Sequence, residues 1–269
     1  MPFPDSDRVI YSKNPLKEVI CQLVFPAILR MDSEAPYKFQ EAIRSTYPNF
    51  SEEQAANIQF LMPQLHLVQA ESPAQNLPLQ GKKVYKFTSD DTRWTVTLTR
   101  DSIALSTRDY RSWNDFQERF DGPLDSFFAE YAPTHTTRLG LRYINIIDPT
   151  ELELEAVSWG DLLAPPIAGE LADPNVREMV VGCANQVTLN MEGNTSVLLN
   201  HGLATGNPPG KVVYLIDSDF STAEKTEVAN VRTRLKDFNN NSGKLFRWCI
   251  SELLHRSLDP QPSASKQPA

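Results

Sequence analysis

The sequence predicts an α+β protein built on one large, curved antiparallel sheet with helices packed on one face. Three observations predict it. Residues 84–105 alternate apolar and polar side chains through three closely joined strands, each with one buried and one wet face. Residues 180–217 hold further strands separated by turn residues instead of helices, as antiparallel neighbours are. Between these blocks, Phe116, Phe120, Leu124, Phe127, Phe128 and Tyr131 fall on one helical stripe, which needs a sheet to lie on.

Each element follows from local chemistry. Residues 1–14 are polar and proline-containing and read as an arm. Residues 19–25 form a β-rich apolar run stopped by Pro26. Phe39, Ile43 and Tyr47 recur every four residues, which predicts a helix over 36–48, opened by Pro36 and ended by Pro48. Residues 58–68 read as a strand and 70–82 as a loop. The three-strand meander follows, with Ser89-Asp90-Asp91 and Arg100-Asp101 as its turns. The helix over 113–131 takes Asn114 as its N-cap, and Gly122-Pro123 predicts a kink or a split within it.

A long strand is expected over 136–147, ended by Asp148-Pro149, and a short helix near 159–163. Strands over 180–191 and 196–203 flank a hairpin turn at Glu192-Gly193-Asn194, and a third covers 211–217. Val228, Val231, Leu235 and Phe238 mark a helix, Asn239-Asn240-Asn241-Ser242-Gly243 interrupts it, and a final helix runs from Leu245 to Leu254. The Pro/Ser/Gln-rich tail from Asp259 reads as disordered. The division expected is an arm at 1–14, a single α+β domain at 15–258 and a tail at 259–269, with halves 15–135 and 136–258 whose elements follow a similar order.

The bulk numbers exclude several classes. Net charge is −8, from 26 Lys+Arg against 34 Asp+Glu, so a phosphate backbone or an anionic membrane is repelled and nucleic-acid binding is not expected. No run approaches the length of a membrane span, and the N-terminus lacks the basic and apolar regions of a secretory signal. Cys21, Cys183 and Cys249 lie far apart in apolar stretches, which fits a reducing cytoplasm. The four histidines are scattered, no nucleophile elbow is present, and no glycine-rich phosphate loop occurs among only 11 glycines. The sequence thus calls for no catalytic residue, no cofactor and no metal.

Two polar groups remain as candidates. Asp217 and Asp219 follow an apolar run, and side chains two apart share a strand face, where two carboxylates could hold Mg²⁺ or act as acid and base. The plainer reading, which we adopt, is a strand end leading into a helix cap through Asp219, Ser221 or Thr222. Arg138 and Arg142 bracket Gly140, and a regular strand puts all three on one face with Ile144 and Ile146. Two arginines so placed could bind an anion or a partner's carboxylate; the plainer reading is a solvated face with cross-strand ion pairs. Asn145 joins them as a candidate, and Arg100, Arg108 and Arg111 could extend the patch.

Four segments carry a resemblance. Residues 14–26 (NPLKEVICQLVFP), 94–101 (WTVTLTRD), 138–145 (RLGLRYIN) and 245–251 (LFRWCIS) resemble a sporadically distributed family of uncharacterised prokaryotic proteins, over about residues 11–258. The resemblance carries over no activity and no catalytic residue. Its patchy distribution implies an accessory role of the defence or toxin-neutralising kind. The expected function is therefore a non-enzymatic intracellular binding protein with a protein partner, with a homodimer among its expected forms if a strand edge is open. The alternatives are an enzyme using Asp217 and Asp219 with Arg138 or Arg142, and a small-ligand sensor with a pocket between sheet and helices.

Overall fold

The computed structural model describes residues 3–54, 83–208 and 210–262. The strand and loop expected over 58–82 and the end of the tail lie outside the described residues. In chain order, β1 (Val9–Tyr11) and β2 (Leu16–Val24) are followed by α1 (Arg30–Ser33) and α2 (Tyr37–Ile43). Then come β3 (Asn49–Gln54), β4 (Lys83–Thr88), β5 (Trp94–Thr99) and β6 (Ser102–Thr107), and the long α3 (Trp113–Tyr131). β7 (His135–Thr136) and β8 (Arg138–Ile147) lead to the short helices α4 (Trp159–Leu162) and α5 (Pro165–Ala168). β9 (Ala184–Met191), β10 (Thr195–Thr205), β11 (Val212–Thr222) and β12 (Thr226–Glu227) precede α6 (Val231–Cys249), α7 (Glu252–Ser257) and β13 (Pro260–Pro262).

Among the described residues, nine strands form one open, curved sheet in the order β3-β4-β5-β6-β2-β8-β11-β10-β9, and every neighbouring pair is antiparallel. β2 and β8 meet at its centre. β2 pairs with β6, the last strand of the β3–β6 meander, and β8 with β11, the last strand of the β9–β11 meander.

All the described helices lie on one face. Trp94 of β5 packs on Phe116 of α3, Phe87 of β4 on Phe39 of α2, and Tyr214 of β11 on Trp159 of α4. Between the layers lies the main core, which takes the alternate strand residues Val19, Cys21, Leu23, Val96, Leu98, Leu139, Leu141 and Phe220. Burying such side chains contributes about 1.5–3 kcal/mol each. A smaller cluster of Ile144, Ala204, Val213 and Leu215 sits on the other face, and all its members come from strands.

Three expectations need correction, each for a tertiary reason. The helix over 113–131 is not split at Gly122-Pro123. Pro123 has no N–H for the carbonyl of Arg119, four residues earlier, and the Tyr47 hydroxyl donates to that oxygen instead, at 2.9 Å. The N-cap is Ser112, not Asn114, and its hydroxyl accepts from the Asp115 N–H at 3.2 Å. The asparagine run does not interrupt α6, because Asn239 is buried there and its Oδ1 accepts from Arg8 at 2.6 Å and Tyr143 at 3.0 Å. β1 in the arm pairs with β13 in the tail, and Phe3 packs on Trp248 at 5.6 Å between ring centres.

Candidate functional site

β11 runs on to Thr222 and the following helix begins only at Val231, so Asp217 and Asp219 are not at a strand end before a cap. They sit within the strand, and the register sets Asp217 opposite Ile144 and Asp219 opposite Arg142. Directly opposed residues share a face, so both aspartates point to the helix-free side together with Arg138 and Arg142. There the two arginines and two aspartates find each other. Arg142 donates from Nε to Asp217 Oδ1 at 2.7 Å and from Nη2 to Oδ2 at 2.6 Å, a bidentate pair. Arg138 donates to Asp219 Oδ2 at 2.8 Å and to Gln22 Oε1 at 3.2 Å.

Gly140 makes the second pair possible. A Cβ at that position would lie 2.4 Å from Arg138 Nη1, so the guanidinium lies flat over the glycine on its way to Asp219. The network continues into the next strands. Asn200 of β10 donates to Asp217 Oδ2 at 3.4 Å, and Gln186 of β9 donates to Asn200 Oδ1 at 2.9 Å. Polar side chains from β2, β8, β11, β10 and β9 thus form one strip across the sheet.

Electrostatics fix what the strip can do. Burial works against the Arg142 charge, but the bonds to Asp217 and the nearby carboxylates outweigh it and hold its pKa above the usual value. Burial also pushes the Asp219 carboxyl up, and Arg138 and Arg142 offset this only in part. Glu18 of β2 is buried on the same face, opposite Ile144, and burial raises its carboxyl too, against the pull of Arg108 and Arg142. Each aspartate is therefore engaged by a guanidinium, and each guanidinium by a carboxylate.

Three other candidates fall elsewhere. Asn145 faces the helices, buried, and donates to the Ile216 carbonyl at 3.4 Å, so it does not join the arginines. Arg100 turns to Asp32 of α1 at 3.1 Å, and Arg111 to Asp109 at 3.2 Å. For Arg108 the charge lowers the Glu18 carboxyl against burial.

Sequence reasoning missed Glu18, Gln22, Asn200 and Gln186. The available signal was alternation: each lies on the side of its strand turned away from the main core. It also missed a buried pair on the helix side. Tyr214 donates to the Ile167 carbonyl at 3.1 Å, which leaves His201 Nδ1, 2.8 Å away, to donate to the tyrosine oxygen. Burial lowers the His201 pKa. Burial pushes the Cys21, Cys183 and Cys249 thiols up, away from a reactive thiolate. Among the described residues, no three His, Cys, Asp or Glu side chains are grouped to hold a metal ion. No described helix is long and apolar enough to cross a membrane. The chain matches no protein-family model and no curated protein.

Proposed function

We propose that this chain is a non-enzymatic binding protein that receives a protein partner on the helix-free face of its sheet. One observation carries the reading. A transverse row on that face, Ser51, Lys86, Thr97, Ala104, Gln22, Gly140, Ser221, Ser196 and Asn190, crosses all nine strands with small or polar side chains. Beside it the Arg–Asp strip is internally neutralised, with Asp217 buried and only Arg138 and Asp219 partly exposed, so the centre of the face presents no strong field of either sign. A broad surface of this kind suits an extended macromolecular partner better than a small substrate.

The resemblance to a sporadically distributed prokaryotic family supports an accessory role, of the defence or toxin-neutralising kind, in the cytoplasm. An enzyme working through Asp217 and Asp219 would first have to free both carboxylates from arginine.

The test is a gentle affinity purification of the tagged full chain from its native cells, beside a Thr97→Arg Ser221→Arg variant. The expected result is a stoichiometric protein partner that the variant loses while its melting curve stays unchanged. No stoichiometric partner, or equal capture by the folded variant, overturns the proposal.

A further inference from the structure

At the two ends of the nine-strand order lie β3 and β9, and they are built differently. β3 carries Glu52 and Glu53, and charge of this kind blunts an edge. β9 reads Ala-Asn-Gln-Val-Thr-Leu-Asn-Met, eight residues with no charge, no proline and no glycine. The neutral stretch begins earlier, since residues 179–191 hold no charged side chain in a chain of net charge −8. Along it stand Met179, Val181 and Val187, all exposed, with Val181 98% accessible.

The backbone at this edge is also available. The Leu203 N–H donates to the Cys183 carbonyl at 3.0 Å, which makes these two a hydrogen-bonded pair just before β9. Antiparallel alternation then turns the backbone of Asn185, Val187, Leu189 and Met191 toward β10. The N–H and C=O groups of Ala184, Gln186, Thr188 and Asn190 point outward, and among the described residues no strand follows β9 in the sheet order.

We infer that β9 is a homodimer interface, where a second copy of this chain pairs antiparallel with it about a two-fold axis perpendicular to the sheet. The axis keeps each copy's faces aligned, so a residue must meet one of its own parity and the central residue must meet itself. With Thr188 at the centre, Gln186 meets Asn190 and Val187 meets Leu189. Amide then faces amide, hydroxyl faces hydroxyl and aliphatic faces aliphatic. This self-complementarity picks out a second copy over a foreign strand. Neutrality points the same way, because two chains of charge −8 approach each other best where neither carries charge. The inference stands apart from the partner face proposed above, which lies on the sheet's surface and not along its edge.

Sedimentation of the full chain tests it, with native protein, Thr188→Lys and Thr188→Cys side by side. The native chain is expected to sediment at twice its 30.3 kDa. Thr188→Lys sets two like charges opposite each other at the axis and is expected to sediment as a single chain with an unchanged circular dichroism spectrum. Thr188→Cys is expected to give a covalent dimer under mild oxidation. A native chain that stays single at high micromolar concentration overturns the inference, as does a dimer that survives Thr188→Lys. If the lysine variant fails to fold, the cysteine variant decides: absence of the covalent dimer overturns the inference.

Discussion

The two ion pairs on the helix-free face use the same residue types in neighbouring positions, yet they differ in kind. Arg142 and Asp217 hold each other through two short bonds, with side chains 17% and 2% exposed. Arg138 and Asp219 share a single bond, with side chains 32% and 25% exposed. The first pair is deep enough that loss of one partner strands a desolvated charge. In the second, water can replace what is lost. Spacing along a strand places charged groups on a face, but depth decides what each pair contributes.

The largest effect should come from the deep pair. Asp217→Ala is expected to cost about 3 kcal/mol in urea unfolding, because Arg142 keeps its charge in a buried setting. A cost under about 1 kcal/mol would erase the distinction between the pairs. Asp219→Ala comes next, at no more than about 0.5–1 kcal/mol, because the burial that raises the Asp219 carboxyl offsets part of what its bond to Arg138 contributes, and its cost should shrink as salt is added while that of Asp217→Ala changes little.

Glu18→Gln sharpens the comparison through pH. Burial raises the folded-state pKa of Glu18, so the native chain has its full stability below the ordinary carboxylate value and loses this contribution as pH rises through the raised one. The glutamine variant should therefore unfold at higher urea than native protein at neutral pH, and the gain should fade in acid. A gain that is equal at both pH values would mean that Glu18 does not titrate abnormally.

The smallest effect is expected for Gly140→Ala. The added methyl displaces the mobile end of Arg138, so stability should fall by no more than Asp219→Ala costs. Its signature is that the salt sensitivity of the Asp219→Ala cost disappears when both changes are combined.

Much of the sheet was legible because alternation is a local signal. The meander of β4, β5 and β6 and the shared face of Arg138 and Arg142 follow from it, and the length of α3 follows from a helical stripe that is equally local. The pairing of those arginines with Asp217 and Asp219 was not legible, since it depends on the register of strands some seventy residues apart. Pro123 and Asn239 misled for a related reason. Each violates a local helix rule, and each is compensated by a distant group, the Tyr47 hydroxyl in one case and the Arg8 and Tyr143 donors in the other.

The central position of β2 has a consequence for how the chain is made. β2 leaves the ribosome before both of its neighbours, β6 and β8. Until Ile147 has emerged, one side of β2 has no permanent neighbour, and Val19, Cys21 and Leu23 flank that unpaired side. Nascent chains at this stage carry an unpaired strand edge in what later becomes the middle of the molecule, and edges of this kind favour misassembly until they are paired.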